Sequence, residues 1–218
     1  MTERRCRASV VFPFARYQSR ARQGTFESAA REGAAQITPE QLTAAIHEFV
    51  SADSEHGKRA QAVVAGLLDV YASPSRVESG RINDPSRKYP GDVCVRSLED
   101  PDSWEKAFEV RDKPVALSDV QIFGKKCVDM GVPEAAVVMA SDRQQNLDDP
   151  ALASWAAKFG LGLTLFYGWT EFVDQVLFWS ALPKVAAASE AVEFIHQRLI
   201  AVEAAPESVA LWSRLATP

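Results

Sequence analysis

Apolar residues recur at helical spacing early in the chain, then at every second position, then at helical spacing again. In 38–52, Leu42, Ala45, Ile46, Phe49 and Val50 share one helical face. Thr38 stands as the cap, Pro39 at the first helical position and Gln41 three residues after the cap, a capping-box arrangement. A second helix over 57–72 carries Val63, Val64, Leu67, Leu68 and Tyr71 on one side and stops at the Ser-Pro-Ser of 73–75. The period then changes to two. Residues 76–84, 92–98 and 106–112 read as three strands, antiparallel, separated by the loop 84–91 and the turn 99–103, with Pro114 closing the third. A helix follows over 117–131, with Ser118 as its cap and Gly131 as its stop. Small apolar residues in 134–141 and 161–169 read as two strands buried on both faces, separated by a helix over 149–160. Two or more helices, over about 169–180 and 184–203, close the chain.

This order predicts an α/β fold with a mixed central sheet flanked by helices, and with helical segments at both ends. Three regions are expected: a basic arm and helices over 1–72 packing on the core, a core over 73–182, and a helical segment over 183–218. Hydrophobic residues make up 47% of the 218 positions, enough for one good core. No apolar run approaches the ~20 residues of a membrane span, and no secretion signal is apparent. Cys6, Cys94 and Cys127 are scattered and form no CxxC pair, so neither a disulfide framework nor a zinc site is expected. A reducing cytoplasm is the expected compartment.

The net charge of −5 argues mildly against a nucleic-acid partner. The distribution argues the other way. Arg4, Arg5, Arg7, Arg16, Arg20 and Arg22 face a single early acid, Glu3, and Arg76, Arg81, Arg87 and Lys88 cluster before Asp92. An acidic chain still binds DNA when its basic groups line one cleft. The sequence contains no glycine-rich phosphate loop, and no His pairs with Ser or Cys in a familiar nucleophile motif.

The candidate chemistry lies in the central strands. Asp92 opens one strand, and Glu109, Arg111 and Lys113 occupy alternate positions of and beyond the next. A phosphodiester is hydrolysed by a divalent cation held on hard oxygen ligands, with a positive group near the developing charge. Asp92 and Glu109 are the candidate ligand pair, with the Val110 carbonyl as a further ligand, and Arg111 or Lys113 is the candidate cation. Simpler readings exist for each. Asp is common after Pro-Gly for turn reasons alone, and Glu109 and Arg111 suit the open face of an edge strand. Arg143 and Gln144 follow a strand end and are candidate DNA contacts, though a solvated loop accounts for them more simply. Gln121 and Glu78 are weak supporting candidates, and Lys125 and Lys126 read as surface lysines. The aromatics Phe166, Tyr167, Trp169, Phe172, Phe178 and Trp179 read as core or as a dimer interface.

Pro90-Gly91-Asp92 followed by Glu109-Val110-Arg111 resembles the PD-(D/E)xK nuclease superfamily, with Gly91 inserted and Arg111 where the pattern has Lys. Arginine stabilises charge or orients water but does not give up its proton, so Lys113 is the alternative holder of the lysine role. Stretches over 82–95, 108–115, 119–141 and 163–179 resemble the SacI-family type II restriction endonucleases. That resemblance implies a restriction-endonuclease-like core that cleaves double-stranded DNA at a short palindrome with Mg2+, acting as a homodimer alongside a cognate DNA methyltransferase. Two alternatives stand beside it: a non-catalytic DNA-binding or assembly module with a degenerate site, and a structure-specific nuclease of the same fold.

Overall fold

The computed structural model describes residues 36–80 and 89–217. The N-terminal arginines, Cys6, Arg81, Arg87 and Lys88 lie outside the described residues.

Helix α1 (Pro39–Ala52) starts as its sequence dictates. The Thr38 hydroxyl accepts from the Gln41 N–H, and the Gln41 side chain accepts from the Thr38 N–H. After a short 3-10 turn (Glu55–Gly57), α2 (Lys58–Ala72) runs almost wholly buried. Strands β1 (Val77–Ser79), β2 (Val93–Arg96) and β3 (Trp104–Arg111) follow, then α3 (Leu117–Asp129), β4 (Glu134–Met139), α4 (Asp149–Ala157) and β5 (Gly162–Tyr167). Helices α5 (Thr170–Trp179), α6 (Lys184–Ala201) and α7 (Pro206–Leu215) complete the described chain.

The five strands form one sheet in sequence order. The β1–β2 and β2–β3 pairs are antiparallel, whereas β3–β4 and β4–β5 are parallel. The sheet is therefore mixed, as expected, and changes character at β3. The parallel half needs a crossover helix between each pair of strands, and α3 and α4 supply them on one face.

Period-two alternation sorts side chains between two apolar clusters. Val93, Val95, Phe108, Ala136 and Val138 pack with α1, α2, α5, α6 and α7 on one face. Cys94, Ala107, Ala135, Val137 and Met139 pack with α3 and α4 on the other. Phe172 anchors the first cluster, with edge-on contacts to Phe166 and Phe108 at 5.1 and 6.0 Å. A forked ion pair between Arg198 and Asp69 joins α6 to α2, and Arg198 also donates to the Val77 carbonyl at 3.0 Å, fastening β1 beneath the helices.

Three expectations change in detail. Ser118 lies inside α3 rather than capping it; the Asp119 carboxylate accepts from the Ala116 N–H instead. Strand β5 is at the sheet edge, with Thr164 exposed and only Phe166 fully buried, so it is not covered on both faces. Of the terminal aromatics, Phe166, Trp169 and Phe172 join the core, whereas Phe178 is 72% exposed.

Candidate functional site

Two carboxylates meet where β2 begins and β3 ends. Pro90 and Gly91 are buried in the loop entering β2, and Asp92 is that loop's last residue, so the strand starts at Val93, one position later than predicted. The close approach requires glycine. A Cβ at Gly91 would lie 2.6 Å from the Phe108 carbonyl oxygen, well inside contact distance. The residue that interrupts the Pro-Asp spacing thus lets the acid's loop lie against β3.

β2 ends its pairing with β3 at Val93↔Phe108, so the next inward-facing amide of β3, that of Val110, has no strand partner on that side. The Asp92 carboxylate takes it, with Oδ2 accepting from the Val110 N–H at 2.9 Å. In a strand the N–H and C=O of one residue point to the same side. The Val110 carbonyl therefore lies along the same open edge as the Asp92 carboxylate.

Glu109 and Arg111 project from the face of β3 that also carries Ala107, toward α3. They form an ion pair through Arg111 Nη2 and Glu109 Oε1. Glu109 is well covered and Arg111 half-exposed. Burial pushes the Glu109 carboxyl up, and the neighbouring Asp92 charge pushes it further, from 4.5 to about 7, against the pull of Arg111 and Lys126. Burial also raises Asp92, opposed by the Val110 N–H and by the charges of Arg111 and Lys126. Two acids are thus held close at an energetic cost to each when ionised. A positive charge between them would relieve that cost.

The other sequence candidates separate clearly. Lys113 lies two residues past the end of β3, exposed in the bend before Pro114. Arg76 is engaged at the other end of β3, donating to the Arg96 carbonyl at 2.9 Å and pairing with Glu105, which also accepts from Tyr71. Four residues of strand, ~13 Å, separate Glu105 from Glu109. Glu78 pairs with Arg96 at 3.6 Å. Gln144 holds the chain after β3: it accepts from the Val115 N–H at 2.6 Å and donates to the Val115 and Gln145 carbonyls. Arg143 is exposed in the same loop, and Gln121 is half-buried on α3.

Two further residues bear on the site: Gln61, which the sequence reading does not single out, and Lys126, expected there as a surface lysine and half-buried in the fold. Gln61, buried on α2, donates from Nε2 to the carbonyls of Gly80 and Asp92 at 2.6 and 3.1 Å, and so fixes the backbone that carries the acid. Its signal was a polar residue within an apolar helical run. Lys126, on α3, acts electrostatically on Asp92, Glu109, Cys94 and Cys127. Its neighbour Lys125 instead pairs with Asp129.

Among the described residues no group of three or more His, Cys, Asp or Glu side chains gathers as a metal cage. The side-chain donors at this site are two hard carboxylates, with a backbone carbonyl beside them. None of the described helices is long and apolar enough to cross a membrane.

No family model matches the chain. Over 181 residues, 82% of its length, it is 27% identical to the type II restriction enzyme SacI of Streptomyces achromogenes. The chain spans about half the length of that curated relative, 49%. This likeness supports a restriction-endonuclease-like relationship, and the mixed α/β architecture with its five-stranded sheet and flanking helices is compatible with a nuclease-like fold.

Proposed function

We propose that the chain is a Mg2+-dependent endonuclease of restriction type, cleaving double-stranded DNA at a short palindrome. Its nuclease core is residues 73–182, of the PD-(D/E)xK kind. One observation carries the reading: Asp92 and Glu109 converge where β2 begins and β3 ends, beside the carbonyl edge of Val110. Hard oxygen donors whose proton affinities are raised by burial suit a small divalent cation, which keeps several waters and completes its shell from phosphate. Asp92, Glu109 and the Val110 carbonyl would hold it. When bound, the ion supplies Lewis-acid polarisation of the phosphate and a more acidic water. The chain's own groups position the ligands and present positive charge to the phosphate. Lys113, Arg143 and the basic residues of 81–88 are candidate backbone contacts. A homodimer and a cognate methyltransferase are part of this proposal and rest on the family resemblance of the sequence.

Arg111 favours a second reading. It stands in the lysine slot and is tied to Glu109, so a non-catalytic DNA-binding module with a degenerate site is the competing function. Incubating the purified protein with phage DNA in Mg2+ or EDTA decides between them. Discrete bands in Mg2+ alone are expected. A smear refutes the sequence specificity, cleavage confined to junctions or ends indicates a structure-specific nuclease, and intact DNA refutes the catalytic reading.

A further inference from the structure

We infer that Lys126, on the crossover helix α3, supplies the site's working cation, in place of Arg111 or Lys113 on the strand. The inference rests on the nuclease reading above and assigns one group within it.

The argument begins with the face on which the acids sit. Ala107, Glu109 and Arg111 alternate outward on one side of β3, and Cys94 on β2 shares that side through its pairing with Ala107. Helix α3 covers this face with the stripe Val120, Phe123, Gly124 and Cys127, in the same apolar cluster as Cys94 and Ala107. Cys94 Sγ in turn accepts from the Gly91 N–H at 3.3 Å, directly beside Asp92. Lys126 precedes Cys127 and flanks the buried stripe, half-buried itself. The helix therefore carries Lys126 on the face of the sheet that holds the acid pair, and its charge acts on both carboxylates and both thiols.

The rival cations are less suited. Arg111 is held by Glu109 and half-exposed. Lys113 follows the strand end, facing solvent. Lys125, on the far flank of the stripe, is paired with Asp129. Among the described residues Lys126 has no carboxylate within ion-pair distance, so its three N–H donors are available to an anionic ligand. An ammonium on a flexible stem serves as a point charge for a phosphate oxygen. A chain with arginine in the strand position thereby regains a lysine from a different element.

The test compares Lys126→Met and Lys126→Arg with Lys125→Met, using two readouts on the full chain. The first is single-turnover cleavage of DNA in Mg2+. Losing a charge donor to the transition state should slow Lys126→Met about 100-fold or more, with Lys126→Arg partly restored and Lys125→Met unchanged. The second is Mn2+ binding without DNA, by titration calorimetry. Removing a positive charge beside the carboxylates should tighten Mn2+ about tenfold in Lys126→Met and leave Lys125→Met as wild type. Equal behaviour of Lys126→Met and Lys125→Met in both readouts overturns the assignment. A wild-type chain that binds Mn2+ yet leaves DNA intact overturns the nuclease reading instead. The Mn2+ comparison then decides Lys126 alone: tighter binding supports its place in the site, and equal binding refutes it.

Discussion

Replacing Glu109 by glutamine separates the charge at the site from its shape. The side chain is nearly isosteric, largely covered, and loses only its ion pair with half-exposed Arg111. In the wild-type protein Glu109 titrates at about 7 when folded, against 4.5 ordinarily, because of burial and then Asp92. Between those values the folded chain keeps a proton that the unfolded chain has released. Raising the pH therefore withdraws stability: the contribution is present below pH 4.5 and is lost as pH rises through about 7. At ~1.4 kcal/mol per pKa unit the full difference is about 3–4 kcal/mol, with part of it shared by Asp92. Glu109→Gln, having no such proton, should unfold at the same urea concentration as wild type near pH 4.5 in EDTA. At pH 8 it should be the more stable by about 2–3 kcal/mol. Adding Mn2+ at pH 8 should raise wild type toward the variant and leave the variant unmoved, because only the native site binds the ion. Urea unfolding of both proteins at both pH values, with and without Mn2+, measures these differences. Wild-type stability that is flat or rising from pH 5 to 8, or a variant less stable at pH 8, would refute the account of a buried Glu109 carboxylate destabilised further by Asp92.

The remaining predictions concern the frame around the acids. Asp92→Asn should abolish cleavage while leaving DNA binding in Ca2+ within about threefold, since the amide oxygen still accepts from Val110; residual Mg2+-dependent nicking would remove Asp92 from the ligand set. Gly91→Ala should cost at least ~1–3 kcal/mol in denaturant unfolding, because the new Cβ meets the Phe108 carbonyl at 2.6 Å and backbone must move. Gln61→Leu should lose ~1–3 kcal/mol by leaving the Gly80 and Asp92 carbonyls without that donor, and should also slow single-turnover cleavage by displacing the acid. Unchanged cleavage in a folded Gln61→Leu protein would make that residue purely structural. DNA binding in Ca2+ should weaken steeply with salt, and a shallow slope would argue against a phosphate-tracking surface.

Much of this architecture is legible along the chain because it is governed by local patterning. The period-two run of 106–112 and the 3.6 spacing of 38–52 and 117–131 specify element type, and Thr38 with Gln41 marks a helix start that forms as written. Asp92 and Glu109 were visible as acids on strands expected to be apolar. Their meeting was not visible, because it depends on β2 ending its pairing at Val93 and on a glycine thin enough to let the loop lie against β3. Alternation places Glu109 and Arg111 on one face but says nothing of which helix covers it. Only the parallel crossover lays α3 over the acids, making Lys126 a neighbour of Glu109, 17 positions earlier in the chain. The fate of polar groups was likewise a tertiary matter. Arg76 and Gln144 read as equivalent to any basic or amide side chain near a strand end, yet each is consumed by backbone carbonyls or carboxylates that the fold brings to it. Side-chain identity and spacing therefore determined which elements form and which residues are chemically able to act. Which of those residues act together was decided by strand register and helix placement, since hydrogen bonds and charges act over a few ångströms of space and not along the chain.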